Sequence, residues 1–372
     1  MGWLSGWQYR KSHEIEGSTA DAQTNYQVKI IVHKGVGTDS GEHVYCNNHC
    51  RDDFGDIRFT NSDGTTLLDY WLESYTSGDK ATFWVEVDSI PASPDTTTIY
   101  IYYGKSDATT TSNGEATFLF FDDFDDGTID TAKWTVQYDS GGNVTESNGV
   151  LTCTGGADGY HAGVYSTSQT YSKCIIETKA RAVNSAGTGE HTPELKLNDN
   201  TTIKAPNSYA DSIYWIGTGY IRRSYYTGSW TSEDIYSTSL PDTFHIYRIV
   251  KDVSSFKAEY VDPDYSVIAS SIAVTISDFT FYVCLKVIDA VSAEFDWVRI
   301  RKYAEPEPTH GSWGNEEQSG ATEVAITDSA TGIEALSRLY RGLTLTDIAT
   351  SQESFSRPYR QLQIPEQASS LE

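Results

Sequence analysis

A short aromatic run that ends in an acidic turn divides this chain into two parts. Residues 118–124 contain four Phe and one Leu, and Asp occupies positions 122, 123, 125 and 126. This pattern is typical of a buried strand that leaves a core and enters a carboxylate-rich turn. The sequence therefore predicts one β unit before this run and a second, larger β unit after it.

The first unit, residues 1–106, is predicted to be a small antiparallel β-sandwich. Val28, Ile30 and Val32 recur at a period of two, which gives a strand one buried face and one solvated face. Clusters of Asn, Asp, Gly, Ser and Pro supply the turns between strands. The predicted strands span residues 26–33, 56–60, 81–87 and 97–103, and the small polar residues of segment 107–117 predict a linker.

The second unit, residues 118–304, is predicted to be a larger antiparallel sandwich, because strand patterns follow one another without helical stretches. The run 279–288 is apolar enough for a central strand. The predicted strands span residues 150–154, 174–182, 244–251, 256–261, 279–288 and 293–303. The fold class predicted for the chain is therefore all-β, with two consecutive antiparallel β-sandwiches.

The end of the chain has a different character. Residues 305–320 begin with Glu-Pro-Glu-Pro and are predicted to be a linker. In the tail, residues 321–372, the segment 327–331 returns as 346–350, an offset of 19. Two short repeats cannot bury an apolar face alone, so the tail is predicted to dock on other subunits of an oligomeric assembly. The alternative is a flexible end.

Charge and composition exclude several classes of protein. The formal net charge of −25 disfavours nucleic acid and anionic membranes as partners. No stretch of about 18 apolar residues predicts a membrane span, and no signal peptide is visible at the N terminus. The five Cys do not form the pattern of a disulfide scaffold, and at most one or two bridges are expected.

Several segments resemble a known pair of domains. The first unit resembles a widespread β-sandwich domain of unknown function that typically precedes a concanavalin A-like (LamG or jelly-roll) domain in archaeal and bacterial surface proteins and in viral structural proteins. The segments that carry this resemblance are 7–11, 50–51, 54–60, 83–87 and 99–104. The second unit looks like the concanavalin A-like partner through residues 121–127, Trp134 and residues 295–300.

Because concanavalin A-like folds include laminarinase-like enzymes, glycoside hydrolysis is one activity that the resemblance implies. This reaction needs two carboxylates. In those enzymes one strand carries Glu-x-Asp-x-x-Glu, or a version one residue longer. Glu294-Phe295-Asp296 begins this pattern, but residues 297–300 lack the second Glu. Glu190 and Glu194 are separated by Pro193, which predicts a loop. The chain is therefore predicted not to be an enzyme, and a polysaccharide hydrolase is the alternative.

Two segments of the sequence contain residue types that bind metal ions. The resemblance implies a structural Ca²⁺ held by Asp123 and Asp296 with backbone carbonyls, since Ca²⁺ prefers oxygen ligands. The alternative is a solvated acidic turn. His43, Cys46, His49 and Cys50 include zinc-ligand types, but their spacing is not that of a standard zinc site, which favours buried thiols and exposed histidines instead.

An aromatic-rich segment provides the candidate binding residues. Sugar rings stack on aromatic side chains, while Arg can contact hydroxyl groups, so a cluster on a concave sheet would bind glycans; the alternative is that about half of these aromatics are core residues. The candidate glycan-binding residues are Tyr214, Trp215, Tyr220, Arg222, Tyr225, Tyr226 and Trp230.

The sequence thus predicts a non-catalytic structural or adhesive protein of a virion, associated with its tail or capsid, or of a cell surface. Its second unit is predicted to recognise a carbohydrate receptor. A decoration protein without glycan affinity is a further alternative.

Overall fold

The computed structural model describes residues 2–184 and 191–320 of the chain, so Glu190 and the predicted docking tail, 321–372, lie outside the described residues. The first elements are β1 (Tyr9–Glu16), β2 (Gln23–His33), β3 (His43–Tyr45), β4 (Arg58–Thr60), β5 (Tyr70–Thr76), β6 (Lys80–Ile90), β7 (Thr96–Tyr103), α1 (Gly114–Thr117), β8 (Phe120–Asp122), β9 (Trp134–Tyr138), β10 (Asn143–Ser147) and β11 (Val150–Thr154). They are followed by β12 (His161–Ser166), β13 (Lys173–Ala182), β14 (His191–Asn198), β15 (Ala210–Ile216), β16 (Tyr220–Tyr226), β17 (Trp230–Ser237), β18 (His245–Asp252), β19 (Ser255–Val261), β20 (Val267–Ser270), β21 (Val274–Thr275), β22 (Tyr282–Ile288), β23 (Ser292–Lys302), β24 (Thr309–Trp313) and β25 (Glu317–Gln318).

The first sandwich contains a four-stranded and a five-stranded sheet. The four-stranded sheet has the order β3-β2-β6-β5, and the five-stranded sheet has the order β24-β1-β7-β4 with β25 also paired to β1. Val28, Ile30 and Val32 of β2 are buried in one apolar core with Phe59 and Phe83. The period of two in the sequence therefore does place one face of β2 in a core.

The segment predicted to be a linker, 305–320, contributes two of these strands. Strand β24 pairs antiparallel with β1, with His13 opposite Trp313. The rings of these two residues stack with centroids 3.6 Å apart. After completing the second sandwich, the chain thus returns to the first one and extends its larger sheet.

The second sandwich packs a nine-stranded sheet against a seven-stranded sheet. The nine-stranded sheet has the order β10-β11-β23-β13-β18-β19-β20, with β21 on β19 and β8 on β23. The seven-stranded sheet has the order β17-β16-β15-β14-β22-β12-β9. Leu195 of β14, Leu285 of β22 and Phe295 of β23 are fully buried in the core between the sheets. Strand β22 lies between β14 and β12, as the apolar run 279–288 predicts.

A separate apolar cluster joins the two sandwiches. Trp71 and Trp84 of the first sandwich pack with Phe118, Phe121 and Trp297. The aromatic run that divides the sequence thus also supplies the contact between its two halves.

A glycine makes this junction possible. A Cβ atom on Gly114, in α1, would lie 2.2 Å from the ring of Phe121, far inside van der Waals contact. Only Gly can occupy this position without displacing the aromatic ring.

The structure confirms the predicted fold class. Strands dominate the described residues, and the predicted strands of both units overlap strands of the two sandwiches. All five Cys are free and buried. No helix in residues 2–184 and 191–320 is long and apolar enough to cross a membrane.

Candidate functional site

A pocket of about 460 Å³ lies on the outer face of the seven-stranded sheet. Along β14, Leu195 and Leu197 point into the core, so the alternate residues Glu194 and Lys196 face the pocket. Neighbouring strands add side chains of the same face. The lining consists of His161, His191, Glu194, Lys196, Lys204, Ala205, Ser212, Tyr214, Ser224, Trp230, Ser232, Lys286 and Ile288.

A buried ion pair forms the floor of the pocket. The Glu194 carboxylate lies 3.3 Å from the Lys286 ammonium and 3.2 Å from His191 Nδ1. Burial opposes ionisation of Glu194, but Lys286 and the hydrogen bond from His191 outweigh it and hold its pKa well below the usual range. Glu194 is therefore a fixed carboxylate, and it cannot serve as a proton donor near neutral pH.

Lys286 is in turn held by two further groups. Its Nζ atom lies 3.2 Å from His161 Nδ1 and donates to the carbonyl of Ile203 at 2.9 Å. Burial and the charge of Lys286 lower the pKa of His161 to about 4. His161 is thus neutral at physiological pH, and the positive charge at this position belongs to Lys286.

Aromatic rings form two parts of the pocket wall. His191 stacks on Tyr214 with ring centroids 3.8 Å apart. Trp230, 48% exposed, stands beside Tyr226 at a centroid distance of 5.3 Å. The wall therefore presents flat apolar surface next to hydrogen-bonding groups, as ligand pockets commonly do.

A row of hydroxyl groups connects the strands between these rings. The Tyr214 hydroxyl lies 2.8 Å from Ser224 Oγ, which lies 2.6 Å from Ser232 Oγ. Each hydroxyl can donate one hydrogen bond and accept others. The row spans β15, β16 and β17 and gives the pocket polar groups without net charge.

The predicted glycan-binding residues divide into two groups. Tyr214 and Trp230 line the pocket, and Tyr226 contacts Trp230. Arg222 lies opposite Tyr214 in the strand register and pairs with Asp234 at 2.6 Å. These residues are brought together on one region of the sheet.

The other predicted residues have different surroundings. Trp215 is buried in the core of the second sandwich, and Tyr225 packs against that core. Tyr220 is exposed at the beginning of β16. Trp215 does not line the pocket, because the alternation of β15 directs its side chain into the core.

The charged floor of the pocket was missed by the sequence interpretation. Pro193 predicted a loop, whereas it lies near the start of β14, where the pairing register shifts between His191 and Glu194. Residues 194–198 read Glu-Leu-Lys-Leu-Asn, a period-two alternation that was the available signal for a strand.

The partial hydrolase pattern lies on the other sheet. Glu294 and Asp296 belong to β23 of the nine-stranded sheet. Glu294 pairs with Arg181 at 2.7 Å, and Asp296 pairs with Lys179 at 2.7 Å. Both carboxylates are therefore engaged away from the pocket, and neither contributes to its lining.

The calcium-binding prediction rests on Asp123 and Asp296. Burial and the neighbouring carboxylate of Asp125 raise the pKa of Asp123, while burial and Asp296 raise that of Asp125. No group of three or more His, Cys, Asp or Glu side chains in the described ranges is placed to hold a metal ion. Because Asp296 already pairs with the Lys179 ammonium, a calcium ion held by Asp123 and Asp296 would have to displace that contact.

We therefore expect removal of divalent cations to leave the melting temperature of the protein unchanged. Thermal unfolding would be followed with EDTA and, in parallel, with CaCl₂. Lys179→Met provides a control, since it frees Asp296 from its ammonium partner. A melting temperature that falls with EDTA and recovers with CaCl₂ in the unmodified protein would instead support the calcium site.

The four candidate zinc residues do not share one site. Cys46 and Cys50 are buried, and burial together with the hydrogen bond between the two thiols raises the pKa of the Cys46 thiol. His43 contacts His33 at 3.0 Å, whereas His49 stacks on the ring of Tyr9. The interpretation of buried thiols and exposed histidines holds for both Cys and for His49, whereas His43 is half-buried.

Comparisons with known proteins give one family match and several similar solved structures. Residues 53–137 match a family described as a domain of unknown function, DUF2341. None of the curated proteins matches the chain in sequence.

Three similar solved structures cover about half of the chain. The catalytic domain of a laminarinase from Thermotoga petrophila RKU-1 is 14% identical with a TM-score of 0.38, covering 50% of this chain and 97% of the other. An endo-β-galactosidase from Clostridium perfringens is 15% identical with a TM-score of 0.39, covering 50% and 64%. A glycosyl hydrolase family protein from Mycobacterium fortuitum is 14% identical with a TM-score of 0.37, covering 49% and 99%.

Proposed function

We propose that the chain is a non-catalytic glycan-recognition protein whose ligand binds in the pocket of the seven-stranded sheet. The observation that carries the proposal is the exposed Trp230 ring at the wall of a pocket whose floor is built from buried polar groups. An apolar ring face suits the C–H face of a sugar, and the surrounding hydroxyl and charged groups suit its hydroxyls.

The polar groups of the pocket are held before any ligand arrives. Glu194, Lys286 and His191 fix one another through contacts of 3.2–3.3 Å. The Tyr214–Ser224–Ser232 row fixes a second set of groups. Binding to such a site costs little side-chain entropy, because the contacting groups are already ordered.

The pocket also supports recognition rather than hydrolysis. Glycoside hydrolysis commonly needs two carboxylates, about 5–9.5 Å apart, one of which must be able to donate a proton. Among the described lining residues, Glu194 is the only carboxylate. Its low pKa keeps it ionised, so it does not supply the acid of such a pair.

The test is a glycan-array screen of the unmodified protein and, in parallel, of the Trp230→Ala variant. We expect selective binding by the unmodified protein and a loss of about 30-fold in affinity on removal of Trp230, since a central aromatic contact is worth about 2 kcal/mol. Tyr75→Ala is the matched control, because Tyr75 is a similarly exposed aromatic residue on the first sandwich.

Two results of this experiment would contradict the proposal. One is equal binding by the Trp230→Ala variant, which would place the ligand elsewhere. The other is release of reducing sugar from a bound polysaccharide that Glu194→Gln abolishes, which would make the protein a hydrolase. A blank array would favour a decoration protein without glycan affinity.

We further propose that this recognition module is carried on the surface of a virion or a cell. Support comes from the resemblance of the first unit to domains of surface and virion proteins, and from the repeated tail segments at 327–331 and 346–350. Immunogold labelling with an antibody against the second sandwich tests this placement, and labelling confined to the cell interior would contradict it.

A further inference from the structure

We propose that the glycan bound in this pocket is anionic and that its carboxylate or sulfate group binds at Lys196. This inference rests on the proposed glycan-binding function and names the class of sugar. It arises from the distribution of charge in the pocket, which is opposite to that of the chain as a whole.

The pocket is basic although the protein is strongly acidic. The formal net charge of the chain is −25. Yet the described lining contains three lysines, Lys196, Lys204 and Lys286, against the single carboxylate of Glu194. An acidic surface around a basic pocket repels polyanions in general, so an anionic ligand must be bound by local contacts in the pocket.

Two of the three lysines already have a counter-charge. Lys286 pairs with Glu194 at 3.3 Å, and Lys204 pairs with Asp139 at 2.5 Å. Lys196 differs, because no carboxylate of the described residues lies within ion-pair distance of its ammonium. Its ammonium donates a hydrogen bond to the backbone carbonyl of Lys204.

Lys196 is also almost completely buried, with 1% of its surface exposed. A buried ammonium without a charged partner is unfavourable, and proteins usually pair such groups or hydrate them. Here the Lys196 side chain lines the pocket instead. A ligand anion would supply the missing charge and accept the remaining donors of the ammonium.

Trp230 links this anion site to the proposed sugar platform. The Lys196 ammonium lies 5.5 Å from the centre of the Trp230 ring. A sugar stacked on that ring can therefore direct a carboxylate or sulfate substituent toward Lys196. The same distance allows a cation–π contact that holds the ammonium in place.

The surroundings of Lys196 make binding depend on pH. The charged or titratable groups that act on it are Lys286 and Cys284 on β22, Glu194 on its own strand and Asp199 just beyond it. Burial first and then the charge of Lys286 lower the pKa of Lys196 to about 8. Since an anion favours the protonated form, affinity should be full below pH 8 and fall at higher pH.

The experiment compares glycans that differ only in charge. Calorimetric titrations would use oligogalacturonides beside their methyl esters, and a sulfated galactan beside its desulfated form. We expect the charged member of one pair to bind at least tenfold more tightly than its neutral counterpart. A difference in the galacturonide pair would indicate a carboxylate ligand, and a difference in the galactan pair would indicate a sulfate ligand. Lys196→Met should remove this preference and lower the affinity for the charged member by about 10- to 100-fold, the value of one charge-assisted hydrogen bond. Lys196→Arg should retain part of the preference.

Lys173→Met is the matched control, because Lys173 is an exposed lysine on the nine-stranded sheet. Its titrations should match those of the unmodified protein. Equal binding of charged and neutral members would overturn the anionic inference while leaving the glycan function intact. Two further results would overturn the anionic inference. One is absence of binding to every member, which would overturn the glycan function as well. The other is binding of the charged member that Lys196→Met does not change and that persists undiminished at pH 9.5.

Discussion

Replacing Glu177 by Gln is expected to destabilise the protein by about 3–5 kcal/mol, the usual cost of breaking a buried ion pair on one side. Glu177 is fully buried on β13 and accepts from Arg248 Nε at 2.6 Å and from Arg299 Nε at 2.8 Å. Arg301 Nε lies 3.7 Å away. A Gln side chain has one acceptor oxygen and would turn an NH₂ group toward these guanidinium donors.

Urea unfolding followed by Trp fluorescence measures this change. Glu294→Gln is the matched control on the neighbouring strand, since its pair with Arg181 is part-exposed and worth about 0–1 kcal/mol. Equal stability losses in the two variants would contradict the predicted role of the buried network.

The stabilisation by Glu177 should also depend on pH. Burial opposes its charge, but Arg248 and the other two guanidinium groups hold its pKa well below the usual range. The stabilisation is therefore complete above the unfolded-state pKa of about 4.3 and is lost as the pH falls below it. The stability difference between the protein and Glu177→Gln should shrink in the same range.

The network also connects the two sandwiches. Arg299 contacts Glu73 of the first sandwich at 3.4 Å, and its guanidinium lies 4.1 Å from the centre of the Trp84 ring. Tyr265 accepts from the same guanidinium at 2.8 Å. Replacing Glu177 should therefore weaken the contact between the two sandwiches as well as destabilise the second sandwich.

Arg223→Met is the second substitution with a large expected effect, again about 3–5 kcal/mol of lost stability. Arg223 and Asp211 are both fully buried, with contacts of 2.9 and 2.7 Å between them. Arg223 also donates to the carbonyl of Phe256, on the opposite sheet, at 3.0 Å. The substitution leaves the Asp211 carboxylate buried without its partner.

A double variant separates this charge effect from a loss of packing. Asp211→Leu with Arg223→Met replaces the pair by apolar side chains, and such replacements are often neutral or stabilising. We expect the double variant to recover most of the stability in urea unfolding. A double variant less stable than Arg223→Met alone would show that the contact between the sheets, rather than the buried charge, dominates.

The sandwich strands could be predicted because their signals are local. Val28, Ile30 and Val32 carry the alternation of a half-buried strand within five residues. Strand β24 could not be predicted in the same way, since residues 309–313 read Thr-His-Gly-Ser-Trp and lack alternating apolar residues. It becomes a strand by pairing with β1, about 300 residues earlier in the chain.

The site was only partly predictable for a related reason. The aromatic composition of this segment predicted Tyr214 and Trp230 as binding residues, and both line the pocket. Composition alone could not show that Tyr214 faces the pocket while its neighbour Trp215 faces the core. Alternation along β15 separates them once the strand is known. The partner of Glu194, Lys286, lies far along the chain and enters only through the pairing of β14 with β22.

The most direct test of the central claim is a crystal structure of the protein with its strongest array ligand bound. We expect the sugar to lie on Trp230, with its polar groups directed toward His191 and Lys196. A ligand bound on the first sandwich or on the nine-stranded sheet, with the pocket of the seven-stranded sheet unchanged, would contradict the proposed site.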